Sequence, residues 1–160
     1  MNAADILKYG HLTLMTEIEY LPESAVNIQT VCGIWSTQAV MAHLTSYETM
    51  LVEILSGLIS PCPTPTLDRY LGTNPQFNDE QVALRQHLTC QAVVAEYQAS
   101  QQAAMIALGQ IPAETLRLPG VLAWYGAEYG VDDFLVYTDY GHKREHSAQS
   151  PYFVMDWRSH

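Results

Sequence analysis

The stretch YGHKREHS at residues 140–147 carries two histidines, His142 and His146, four positions apart. On a helix that spacing stacks two imidazoles on one face, one turn apart. Rings held that way can share a metal ion, and imidazole suits zinc, nickel, iron and copper. A further imidazole, His43, lies far earlier in the chain, in a helical pattern of its own.

Helical phase sharpens the case. Val131, Phe134, Leu135, Thr138, His142, His146 and Gln149 form one inward arc at a period of 3.6, and Lys143 and Arg144 are expected to point away. His43 falls in the middle of another apolar arc, with Val40, Leu44, Tyr47, Met50, Leu51 and Ile54. A buried imidazole must satisfy two ring nitrogens. Phase alone leaves two readings open: a shared divalent metal, or three core histidines with separate partners.

Two motifs with defined chemistry are excluded. A zincin places Glu directly after its first His, and Lys143 stands there. A di-iron bundle needs paired Glu-x-x-His motifs; the nearest match, Asp139-x-x-His142, is single and begins with Asp.

The elements that must hold these residues are helical. Residues 5–21 give a first helix with Leu7, His11, Leu14, Ile18 and Leu21 on one stripe, stopped by Pro22. Ser36 is a good N-cap for a second helix, which ends before Pro61, Pro63 and Pro65. Residues 61–78 read as a crossover loop rich in Pro, Gly, Thr and Asn. A third helix is expected from Asn78 or Asp79 to Leu108, with Gly109 as terminator. Its two apolar sides suit contact with the bundle on one side and a partner subunit on the other. A second connector spans 112–130. The last helix starts near Asp132 and ends by Ser150, ahead of Pro151. The apolar tail at 152–157 is expected to dock back. The fold class is all-α: four long helices with crossovers after the second and third.

Length and composition fit one domain over residues 1–160. Hydrophobic residues make up 48% and charged residues 15%, a globular composition. A net charge of -10 without a basic cluster argues against nucleic acid as a partner. No apolar run approaches a membrane span and the N-terminus lacks the features of a leader, so a cytoplasmic setting is expected. Cys32, Cys62 and Cys90 include no C-x-x-C pair and read as separate buried thiols in a reducing compartment.

With these residues in view, the chain resembles the DinB/YfiT superfamily. The likeness rests on Trp35, Ser36, His43 and Leu44 at the second helix, on DDFL at 132–135, and on His142 and His146 behind it. It extends in helix order from the first helix to Gln149. The resemblance implies an up-up-down-down four-helix bundle, often a homodimer. It also implies a divalent metal (Zn, Ni, Fe or Mn) held by His43, His142 and His146. Understood members include transferases and isomerases that use low-molecular-weight thiols; others are resistance or detoxification proteins.

The resulting expectation is a metal-dependent enzyme, a thiol-using transferase or a hydrolase of small molecules. The alternative is a bundle that binds or sequesters a small molecule without turnover. Three neutral imidazoles leave positions open on the ion and favour an anionic thiolate or carboxylate. Glu145 is a candidate for orienting a ligand ring, and Tyr47, one turn after His43, for donating to a bound group. His11 is expected to line the pocket or to be a core histidine. His87 and His160 are expected at the surface.

Overall fold

The structure is a computed structural model that describes residues 2–29, 32–73 and 75–149. Among these residues every regular element is helical, and one isolated bridge joins Cys32 and Trp35. The expected all-α bundle forms. The tail at 152–157 and His160 lie outside the described residues.

Helix α1 (Ala3–Glu19) begins at Asn2, whose Oδ1 accepts the Asp5 N–H at 2.9 Å. Helix α2 (Thr37–Ile59) starts at Ser36 as expected, with Oγ accepting from Ala39 at 3.2 Å. Between Val40 and Glu48, α2 is buried at every residue except Tyr47, which is partly exposed. This is the central helix, so a side chain on almost any of its faces there meets protein.

The crossover after α2 is not the loop its composition suggests. Two helices occupy it, α3 (Pro65–Thr73) and α4 (Phe77–Arg85). Glu53, on α2, supplies the missing cap: its carboxylate accepts the N–H of Thr66 at 3.0 Å and of Leu67 at 2.9 Å. A carboxylate from another helix satisfies the orphan donors of the first turn. Arg69 ties α3 to α4 through Glu80 at 2.7 Å, and Phe77 plugs the junction from within.

The expected third helix is split. It breaks after Arg85, where the Leu88 N–H turns back onto the Arg85 carbonyl. Thr89 then caps α5 (Cys90–Leu108), accepting from the Ala92 N–H. Gln38 of α2 pins the turn by donating to the Leu88 carbonyl at 2.7 Å. Helix α5 packs along α2, while Leu84 and Ile106 remain exposed.

After the short α6 (Ala113–Arg117) the chain reaches Gly130. A Cβ there would lie 2.9 Å from the Leu116 carbonyl oxygen, so the backbones approach too closely for a side chain. The last helix is composite. It starts as α7 (Val131–Phe134), passes through a π-helical segment (Leu135–Tyr140) and continues as α8 (Gly141–Ala148). In the π segment the Gly141 N–H bonds the Val136 carbonyl, five residues back. The core joins these pieces: Leu7 of α1, Leu51 and Leu55 of α2, Ala104 and Leu108 of α5, and Phe134 and Leu135 of the last helix.

Two smaller expectations are corrected. The three thiols are unpaired, but none is fully buried. Lys143 does not point away: it is 2% exposed. The π segment adds a residue to one turn, so the inward set beyond Leu135 becomes Asp139, Lys143, His146 and Ser147 rather than Thr138, His142, His146 and Gln149.

Candidate metal centre

Helices α2 and α8 bring His43, His142 and His146 together. The Nε2 of His142 lies 2.7 Å from that of His43 and 3.0 Å from that of His146. One nitrogen from each of the three lies within 4.8 Å of the others. His43 is walled by the ring of Trp35 at 5.0 Å and the edge of Tyr47 at 4.9 Å between centroids.

Burial sets the protonation state. It is the largest factor in lowering His43 to about 2, with the other two imidazoles adding to it. Burial, then His146 and Lys143, lowers His142 to about 3. His146 is also lowered by burial, against opposing effects of Gln149 and Glu145. All three rings are therefore neutral at neutral pH and carry the lone pair that ligation needs.

The donor chemistry fits a cation. Gln149 Oε1 lies 2.8 Å from Nδ1 of His146. A carbonyl oxygen only accepts, so Nδ1 holds the proton and Nε2 presents its lone pair to the cluster. The central His142 Nε2 has one proton or one lone pair for two neighbours. A shared divalent ion satisfies all three nitrogens at once.

Above His142 lies an open groove of about 470 Å³, lined also by Tyr47, Tyr70, Tyr137, Thr138 and Glu145. Burial and Tyr70 push the Tyr47 phenol up to about 12, so it stays neutral, and its hydroxyl donates to Asn78 at 3.3 Å. Tyr47 thus contributes an aromatic wall, 4.6 Å from the His142 ring centroid. Glu145 is exposed; the partner that orients the His146 ring is Gln149. His11 stands outside the trio, half-buried and stacked on Tyr97 at 5.7 Å. Its Nδ1 is buried without a partner among the described residues. His87 is exposed.

Sequence reasoning missed a second cluster beside the first. Lys143 Nζ lies 2.7 Å from Glu48 and 2.9 Å from Asp139, and all three side chains are buried. A signal for it exists in retrospect: Glu48 interrupts an apolar helix face, and buried carboxylates need cationic partners.

The sequence matches the family described as the mycothiol maleylpyruvate isomerase N-terminal domain over residues 11–129. The chain belongs to this family. The match includes His43 and ends before His142 and His146. The resemblance to DinB-like helical proteins is borne out by it. Among solved structures, the chain is similar to a histidine-to-alanine variant of the mycothiol-dependent maleylpyruvate isomerase. The TM-score is 0.72 at 11% identity, covering 93% of this chain and 59% of that one. At that identity the likeness speaks for the fold, and the chain spans well under two thirds of that structure. No curated protein matches the chain. No helix among the described residues is long and apolar enough to cross a membrane.

Proposed function

We propose that the chain binds a divalent metal through His43, His142 and His146 and catalyses a reaction between a low-molecular-weight thiol and a small electrophile. The observation that carries this reading is the convergence of three neutral imidazole nitrogens beneath an open groove. Such an ion, held by neutral ligands, supplies a full double positive charge that favours a thiolate over a thiol near neutral pH.

The chain's own residues supply the rest. Tyr47 and Tyr70 give the groove apolar walls. Glu145 is its exposed carboxylate, placed to exchange a proton with solvent. Thiol addition to an activated double bond ends in transfer if the adduct is kept, and in isomerisation if the bond rotates and the thiol leaves. Membership of a family named for a thiol-dependent isomerase favours these outcomes over hydrolysis. A homodimer and a cytoplasmic setting belong to the same proposal.

Elemental analysis of purified protein, with His146→Ala in parallel, tests the metal. About one equivalent is expected in the parent and a large loss in the variant. Turnover is tested by thiol-dependent product formation with small electrophiles. Product beyond one equivalent is expected; a single stoichiometric equivalent supports sequestration instead. Metal-free parent protein, or retention unchanged in the variant, overturns the reading.

A further inference from the structure

Three charged groups are buried where an apolar core would be expected. Lys143 is 2% exposed, Glu48 0% and Asp139 7%. Lys143 Nζ reaches Glu48 Oε2 at 2.7 Å on α2, and Asp139 Oδ1 at 2.9 Å and Oδ2 at 3.1 Å within its own helix. Burying such a group of charges is a weak source of stability, because desolvation offsets most of the attraction. Stability alone does not explain why it is here.

Its position does. Lys143 follows His142 directly, and Glu48 follows His43 by five residues on the buried part of α2. The ion pair and the His43–His142 contact are therefore two neighbouring ties between the same two helices. A single tie leaves a helix free to rotate about its own axis; two ties at adjacent positions on α8 fix the rotation.

Two further features serve the same contact. The π segment turns Lys143 inward, and Asp139 within that segment holds the ammonium from one turn away. On α1, Gly10 leaves room for the lysine stem: a Cβ there would lie 3.3 Å from Lys143 Cδ and 3.3 Å from Tyr140 Cδ2. The ammonium also faces the ring of Tyr97 on α5, 5.6 Å from its centroid. One side chain thus touches α1, α2 and α5 from α8.

We infer that the Lys143–Glu48–Asp139 cluster is a positioning device that sets the rotation of α8 against α2, and with it the placement of His142 and His146 opposite His43. The inference rests on the three-histidine reading above. Lys143 and Glu48 are positioning residues: they act through the imidazoles rather than on a substrate.

The test separates geometry from stability. In the Lys143→Met/Glu48→Leu/Asp139→Asn triple variant the charges are replaced by side chains of similar size. Zinc affinity is measured by competition with a chelator, the cobalt(II) absorption spectrum reports ligand geometry, and the melting temperature is taken on metal-free protein. Expected are a melting temperature at or above that of the parent, zinc affinity lower by roughly 10- to 100-fold, and an altered cobalt spectrum. Affinity within about threefold of the parent and an unchanged spectrum would overturn the inference, whatever the melting temperature does. Should the triple variant not fold, Glu48→Gln keeps the shape and removes only the charge. A weaker zinc affinity with an unchanged melting temperature then supports the device, and a lower melting temperature with unchanged affinity rejects it. His146→Ala is run alongside. If it binds zinc like the parent, the three-histidine reading fails and this inference falls with it. If only the cluster variants bind like the parent, the inference alone fails.

Discussion

Gln149 Oε1 sits 2.8 Å from Nδ1 of His146, so the last described residue of the chain decides which nitrogen of that ring faces the histidine cluster. Gln149→Leu removes the acceptor and frees the ring to flip or change tautomer. We predict a fall in zinc affinity on the order of tenfold, with the histidines themselves intact. A competition titration against a chromophoric chelator reads this directly; affinity equal to the parent's would show that the contact does not orient the ring.

The metal-free protein should lose stability in acid. His43 and His142 have folded pKa values of about 2 and about 3, below the model value of 6.5. Below 6.5 the unfolded chain takes up protons that the folded chain does not. The stability contributed by the neutral rings is therefore fully present above 6.5 and declines as the pH falls. Each ring adds a slope of about 1.4 kcal/mol per pH unit in that range. Urea unfolding at a series of pH values, repeated on His43→Gln, checks both the sign and the source; equal slopes in the two proteins would remove His43 as the cause.

Glu53 is expected to hold α3 in place. Glu53→Ala leaves the Thr66 and Leu67 amides without their acceptor, at a cost on the order of 1 kcal/mol. Hydrogen exchange should accelerate at those two amides, with α5 amides changed only by the global loss. Unaltered exchange at Thr66 and Leu67 would count against the cap.

Leu55 is fully buried in the main core cluster, away from the histidine-bearing turn of α2. Leu55→Ala should lower unfolding stability by about 2–5 kcal/mol. Metal stoichiometry at low temperature should stay at the parent's value. Chemical denaturation and elemental analysis of the same preparation check the pair of outcomes.

The parts of this molecule that obey a single period could be read from the chain. Ser36 as a cap, His43 in the arc of α2 and the His142/His146 spacing all follow from 3.6 residues per turn. The misreadings have local physical causes. Helices α3 and α4 were hidden because the cap that starts α3 comes from Glu53, on a different helix. The long third helix was broken by a Thr89 cap that lies inside a run with no proline or glycine. Lys143 was placed outside because one π turn, invisible to a uniform period, shifts the phase by a residue. The cluster it forms with Glu48 followed from the same shift.

That turn has an evolutionary reading. A π turn is what a single-residue insertion into an α-helix leaves behind. Removing one residue between Leu135 and Tyr140 would restore a plain helix and swing everything after it by about 100°. His142 and His146 would keep their mutual spacing and lose their facing toward His43. Within a lineage, gain or loss of one codon in this segment is thus a heritable on-off event for the site. It would leave both histidines in the sequence, where a motif search would still find them.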